Sequence, residues 1–366
     1  MAWVVVKIGG SILESARDYL RAAESLQRHY LSRGIRVITV VSAASGVTDL
    51  ILEALKGSME AKEEAIHRVL SIAGGVGGAS LESMISKVLE PLEKVGGGIV
   101  DPWVKARLLS IGEAASRMTL VQSLQSLGVK AVEIPAPELV RAWGDPLNSR
   151  IDYRETSARL SAIAGRLGEY QAVVVDGFVA MGEEGVVVLG RGGSDYTATA
   201  LAALSDARHV HLVTDVDGIY SADPAIVPKP RRVEALGYRE AAVAASYGVK
   251  KLHPRTFEPI NTIRPVEVRI GAWTRWTRIA GVPEVKPPRV KLVASRRVDG
   301  VAHVSLIGSG LASPELVSGA VAAVRNAGLE FHEMILSPGN QSLAFKVDRS
   351  LETALVNALH GLVGVY

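Results

Sequence analysis

The sequence predicts an α/β protein, with a mainly parallel central sheet and helices on both faces, joined to a small ferredoxin-like α+β domain. Three observations predict it. Short Val-rich apolar runs recur along the chain, several of them followed by a loop of Gly, Ser or Asp, as buried parallel strands require. Amphipathic segments of helical length separate several of those runs. After a proline-containing stretch, Gly281 to Pro288, a shorter βαββα pattern fills the rest of the chain.

The 366 residues leave room for two domains, expected at 1–280 and 291–366 with a linker at 281–290. An apolar content of 48% with 22% charged residues is that of a soluble globular chain. The absence of cysteine excludes disulfides, thiolate catalysis and Cys-based metal sites. A net charge of +3, evenly spread, makes no case for nucleic acid. No apolar run approaches the ~20 residues of a membrane helix. The opening Trp3–Val6 run meets Lys7 too soon for a signal peptide, so a cytoplasmic protein without a membrane partner is expected.

Trp3 to Val6 is the first strand, and Lys7-Ile8-Gly9-Gly10-Ser11 follows it. A lysine at a strand mouth, with glycine amides and a hydroxyl behind it, can hold transferring phosphates; a solvated lysine before a tight turn explains the same residues. It is not a Walker A loop, in which the lysine follows the glycines. Leu13 to Gly34 reads as an amphipathic helix and Arg36 to Val41 as the next strand. The loop from Ser42 to Asp49 can donate hydroxyls to a carboxylate, or simply cap the helix that begins at Asp49. Residues 57 to 110 are mostly helical, and the glycine clusters 74–78 and 96–98 read as flexible connections. Leu108 to Glu113 opens a further helix, where a first-turn Glu is ordinarily a surface residue favoured by the helix dipole. Val129 to Ile134 and Ala172 to Val175 are strands, the second leading into Asp176-Gly177-Phe178.

The stretch from Val186 to Pro224 organises the rest. A strand, Val186 to Leu189, breaks into Gly190-Arg191-Gly192-Gly193-Ser194-Asp195, with Arg191 expected to be buried among the glycines. Ser194 or Asp195 can cap a helix from Tyr196 to Leu204, whose N-terminus favours an anion. A second strand, Val210 to Thr214, ends in Asp215-Val216-Asp217-Gly218. Ligands of open α/β sheets sit at the carboxyl ends of strands. These residues therefore point to a phosphorylated ligand beside a small charged molecule. A helix from Tyr238 to Val249 then delivers Lys250, and Val266 to Gly271 closes the first domain. Beyond the linker, strands are expected at Val301–Ile307, Phe331–Leu336 and Ser342–Val347, with helices at Pro314–Ala327 and Leu351–Leu362.

LGRGGSDYTA followed by TDVDGIYSADP closely resembles the aspartate kinases of the amino acid kinase family. KIGGS, SAASGVT, SIGE, DGF and YGVKKLHP resemble further family segments in the same order, and VSLIGSGL with FHEMI resembles an ACT regulatory domain. The resemblance implies the amino acid kinase fold and transfer of the ATP γ-phosphoryl group to the side-chain carboxylate of L-aspartate. The product would be 4-phospho-L-aspartate, in the first step of lysine, threonine and methionine biosynthesis. That acceptor is already ionised at neutral pH, so the reaction needs charge neutralisation and positioning and no general base.

The resemblance carries roles onto single residues. Lys7, Gly9, Gly10, Ser11, Thr214, Asp215, Tyr220 and Lys250 would hold ATP, with Mg²⁺ bridging its phosphates and no metal-ligand set on the chain. Ser42, Thr48, Glu113, Phe178, Arg191, Gly193, Ser194 and Asp195 would line the aspartate site, with Arg191 on the α-carboxylate and Glu113 and Asp195 on the α-ammonium. Lys7, Asp195 and Lys250 would be the catalytic residues. An amino-acid effector at the ACT domain and a homodimer or higher homo-oligomer are expected. The chain departs from the family in having one ACT unit where two are usual. It also has Ala225 where an arginine is frequent and Asp176 where proline is usual. A non-catalytic sensor of ATP and an amino acid is the alternative. An acetylglutamate or uridylate kinase is disfavoured by Arg191 beside GGSD and by Glu113. A Rossmann dehydrogenase is disfavoured because no GxGxxG follows the first strand.

Overall fold

The computed structural model describes residues 3–96, 98, 100–281 and 289–365. Most of the expected 281–290 linker, together with Gly97, lies outside the described residues. The chain packs into two compact units, Met1–Asp215 with Glu258–Val266, and Val216–Phe257 with Glu267–Tyr366.

The first unit opens with β1 (Trp3–Ile8), α1 (Ala16–His29), β2 (Arg36–Val41), α2 (Val47–Leu55), α3 (Met59–Lys94), α4 (Pro102–Leu109) and α5 (Ile111–Ser126). β3 (Ala131–Ile134), α6 (Ala136–Leu139), a hairpin of β4 (Ala142–Trp143) and β5 (Arg150–Ile151), and α7 (Tyr153–Leu167) follow. β6 (Ala172–Asp176), the antiparallel pair β7 (Val179–Met181) and β8 (Val186–Val188), α8 (Gly193–Leu204) and β9 (His209–Val213) complete it. Among the described residues its main strands run in the order β9-β1-β2-β6-β3, all parallel. Val4 to Val6, Val40, Val41 and Val173 to Val175 are buried, because helices cover both faces and leave no polar side for alternation. The carboxyl ends of β9, β1, β2 and β6 fall in register, with Ile8 opposite Val213 and Val41, and Val41 opposite Asp176.

The first glycine cluster connects two helical stretches, but the break is confined to one residue. α3 runs through residues 74–78 and breaks its helical geometry only at Gly78, with φ 60° and ψ −159°. Ile72 and Ala73 before the break, and Leu81 and Ile85 after it, are buried, so packing outweighs the ~1 kcal/mol helix penalty of each glycine. Small size is itself required at Gly75, where a Cβ would lie 2.6 Å from the Ala16 Cβ. Among the described residues α3 is the one helix long and apolar enough to cross a membrane by length and composition alone, although charged residues keep its longest uncharged run well short of a membrane span. A buried helix of a globular core passes the same test. Here α3 packs against α1, α2 and α5.

In the second unit β10 (Ala235–Gly237) and α9 (Tyr238–Ser246) come first. After α10 (Glu258–Thr262), which belongs to the first unit, come β11 (Glu267–Gly271) and β12 (Trp276–Ala280). β12 pairs parallel with β10 and antiparallel with β11. β13 (Arg289–Val298), β14 (Val301–Ser309), α11 (Pro314–Asn326), β15 (Glu333–Leu336), β16 (Ser342–Asp348) and α12 (Glu352–His360) then form the C-terminal module. Its sheet has the order β13-β14-β16-β15 and is antiparallel throughout. One core joins Val293, Val304, Leu306 and Phe345 of the sheet to Leu316, Val324, Leu355 and Leu359 of the two helices.

The module has one strand more than the βαββα pattern expected. β13 starts directly after Pro287-Pro288 and ends in the exposed Arg296-Arg297-Val298, so its flanks do not read as strand, while its buried segment is short (Val290 and Leu292 to Ala294). β12 escapes the sequence reading for the same reason: only Thr277 and Ile279 within it are buried.

Candidate active site

Lys7 lies near the end of β1, and its Nζ sits 2.8 Å from Asp195 Oδ1, both side chains being largely buried. Asp195 stands in the first turn of α8, which begins three residues before the expected Tyr196. Gly192 makes the earlier start possible: it is the N-cap in the left-handed region, at φ 73°, and no side chain caps the helix. Ser194 and Asp195 are therefore helical residues facing a ligand cavity and not caps. Gly190 shares the left-handed geometry at φ 71°, so Arg191 is carried on the apex of the turn between two such glycines. It is exposed, which corrects the expectation that glycines bury it.

Phe178 follows β6 with φ 67°, a costly conformation for an aromatic residue. It lies against α8, and a Cβ at Gly193 would come within 2.9 Å of Phe178 Cδ2. Lys7, Thr48, Glu113, Phe178, Arg191, Gly193, Ser194 and Asp195 line one cavity of about 260 Å³. Gly10, Ser11, Ser42, Thr48 and Glu113 line a second of about 280 Å³, so Thr48 and Glu113 belong to both.

Glu113 is the most perturbed group there. It stands in the first turn of α5 and is 4% exposed. Burial pushes its carboxyl up to about 8, against the opposing pull of the Ala43 and Glu113 backbone amides; the nearby Asp176 raises it and Lys7 lowers it. Among the described residues Glu113 Oε2 has no hydrogen-bond partner. A buried acid with an unsatisfied oxygen facing two cavities is prepared for a cationic partner. Ala43, whose backbone amide reaches this carboxylate, went unnoticed in the sequence because nothing in an alanine advertises its N–H.

Asp176, standing where proline was expected, is buried at the end of β6. Its Oδ2 lies 3.3 Å from Arg117 Nη1 and accepts a hydrogen bond from Ala136 N–H at 2.8 Å. Burial raises its pKa and Arg117 opposes the rise. This arrangement braces the turn that carries Phe178.

Ser11 Oγ donates to Asp215 Oδ1 at 2.9 Å and Thr214 Oγ1 donates to the same oxygen at 2.7 Å, which ties the loop after β1 to the loop after β9. Gly9 N–H donates to Val213 O at 3.2 Å, so this amide is occupied and unavailable to a phosphate. In the second unit Tyr220 O–H donates to Asp217 Oδ1, which raises the phenol pKa. Lys250 Nζ lies 3.2 Å from Asp223 Oδ2 and is mostly exposed. Tyr220, Ala225 and Lys250 line a cavity of about 310 Å³ within that unit.

A family model described as the amino acid kinase family matches residues 2–270. The chain belongs to the amino acid kinase family. It is 30% identical over 275 residues to a bifunctional aspartokinase/homoserine dehydrogenase of Haemophilus influenzae, covering 70% of this chain and 33% of that protein. To the lysine-sensitive aspartokinase 3 of Escherichia coli it is 31% identical over 275 residues, 70% of this chain and 58% of that one. The chain thus spans between a third and about three fifths of the length of these curated relatives. The crystal structure of E. coli aspartokinase III in complex with aspartate and ADP superposes with a TM-score of 0.86 at 21% identity, covering 98% of this chain and 99% of that one. The Clostridium acetobutylicum aspartate kinase gives a TM-score of 0.81 at 16% identity. These two likenesses establish the amino acid kinase fold.

Proposed function

We propose that this chain transfers the γ-phosphoryl group of MgATP to the side-chain carboxylate of L-aspartate. One observation carries the reading: the Lys7–Asp195 ion pair at the start of α8 opens onto the same cavity as Arg191 and the buried, unsatisfied Glu113. A free α-amino acid with a second carboxylate offers the charges complementary to that set. The aspartokinase names of the relatives support it.

Arg191 grips the α-carboxylate with its planar fork, and its exposed position leaves the guanidinium free to close on it. Glu113 and Asp195 face the α-ammonium, while Ser42 and Thr48 donate to the carboxylates. Phe178 walls the pocket, and Gly193 and Ser194 bring the first turn of α8 close to the ligand. Lys7 neutralises charge on the phosphoryl group in flight, held in place by Asp195. Ser11 and the Gly10 amide lie beside it, and Thr214 and Asp215 orient Ser11. In the second unit Tyr220 and Lys250 face the nucleotide, Lys250 exchanging its Asp223 partner for phosphate.

Mg²⁺ would arrive with ATP and supply positive charge to the phosphates, beside the cations of Lys7 and Lys250. The acceptor carboxylate is ionised at neutral pH, so catalysis consists of positioning and charge stabilisation. We place the reaction in the cytoplasm, where ATP is supplied. We assign the C-terminal module as an ACT-like unit that receives an amino-acid effector and pairs two chains.

Incubation with MgATP, L-aspartate and hydroxylamine tests the reading, because the acyl phosphate is trapped as a hydroxamate. Aspartate-dependent hydroxamate with none from L-glutamate is the expected result. Nucleotide binding without product would overturn catalysis in favour of a sensor.

A further inference from the structure

The 310 Å³ cavity of the second unit has an unusual second wall. Tyr220, Asp223 and Val249 bound it on one side, and Ala294 and Ser295 of β13 with Val356 of α12 bound it on the other. The C-terminal module therefore contributes to it directly.

The loop on the first side is built into that module. β13 is the edge strand of its sheet, and an open edge needs a partner for its outward N–H groups. Val293 N–H donates to Ser221 O at 2.8 Å. Ser221 Oγ lies 2.8 Å from His360 Nε2 at the end of α12. Ala222 and Val227 are each 4% exposed and share the core of Val290, Val293, Val356 and Leu359. Residues 221–227 thus cannot shift without disturbing the module's core; Asp223 is carried on that segment and Tyr220 directly precedes it.

The cavity chemistry suits a nucleoside. Its volume lies at the small end of the ~300–1,000 Å³ range of small-molecule pockets. Val249, Val293, Ala294 and Val356 make the interior apolar, the Asp223 carboxylate can accept from a ribose hydroxyl, and Lys250 and Lys251 place cations at its edge.

We infer that the C-terminal module forms part of the nucleoside pocket, with Ala294, Ser295 and Val356 as residues that set nucleotide affinity. The inference rests on the phosphoryl-transfer reading above. Any displacement of the module is then felt at the nucleotide through its own wall, without a relay. Small side chains at 294 and 295 are what leave the space open.

The test is a graded series, Ala294→Ser, Ala294→Val and Ala294→Leu, in the full chain. MgADP affinity is measured by calorimetry, and KM for ATP and for aspartate by the hydroxamate assay. Tm identifies the largest variant that still folds. MgADP Kd and KM for ATP are expected to rise with side-chain volume, at least tenfold for the largest folded variant, while KM for aspartate stays within twofold. MgADP affinity within twofold across the folded variants, with wild type binding normally, would overturn the inference and leave the catalytic reading standing. Parallel losses for ATP and aspartate would also overturn it, as general damage to the fold. A wild type that neither binds MgADP nor makes hydroxamate would remove both.

Discussion

Aspartate binding should release a proton, and Glu113 is the source. In the empty site burial holds this carboxyl at about 8, so at pH 7 about 0.9 of the molecules carry the proton. An ammonium seated against Glu113 Oε2 supplies the missing charge and hydrogen bond, and drives the carboxyl to ionise. Calorimetry at pH 7 in two buffers of different ionisation enthalpy should therefore report release of nearly one proton per aspartate. KM for aspartate should fall about tenfold for each pH unit between 6 and 7 and flatten above 8. Glu113→Gln copies the neutral acid and keeps the fold. It should abolish the proton release and raise KM for aspartate ~10–100-fold, the value of one hydrogen bond to a charged group. The same carboxyl sets a stability trend. Its pKa is raised on folding, so its contribution is fully present below about 4.5 and lost as pH rises through about 8. The wild-type Tm should accordingly decline from pH 5 to 8 more than that of the Gln variant, and the difference should level off above pH 8. A proton release near zero with a pH-independent KM would refute the reasoning.

Lys7→Ala should lower kcat by at least ~10²–10³-fold, the loss expected for one preorganised charge contact; retention of more than a tenth of wild-type turnover sinks its role. Arg191→Ala should raise KM for aspartate at least tenfold and leave Tm within about 2 °C, since the side chain is exposed; an unchanged KM argues against the carboxylate grip. Gly193→Ala pushes a methyl within 2.9 Å of Phe178 and should cost ~1–3 kcal/mol by denaturant unfolding together with aspartate affinity; wild-type behaviour would mean that Phe178 yields freely. Lys291→Met strands Glu240, which lies 2.6 Å from Lys291 Nζ and is almost fully buried, and should destabilise the second unit by ~3–5 kcal/mol; a neutral result would show that Glu240 protonates at little cost.

The sequence by itself determined the parallel strands and the loops at their carboxyl ends. A strand buried on both faces must be a run of valines, and a loop that admits an anion must be glycine-rich; both demands are local, so they are visible residue by residue. Lys7, the Gly190–Asp195 turn and the Ser42–Asp49 loop were legible in that way, whereas Phe178 was reached only through the family resemblance. What could not be read locally was decided by packing. Glu113 looks like any first-turn glutamate until the Ala43 amide and the buried face of α5 surround it. Gly74 to Gly78 look like a hinge until Ala16 requires the close approach at Gly75. Arg191 looks buried until two left-handed glycines turn it to solvent. β13 looks like linker until Ser221 closes its edge. For Glu113, Gly75 and β13 the deciding neighbour is distant in the chain, and burial, pKa and strand pairing belong to the pair, not to either residue alone; for Arg191 it is the backbone geometry of the adjacent glycines.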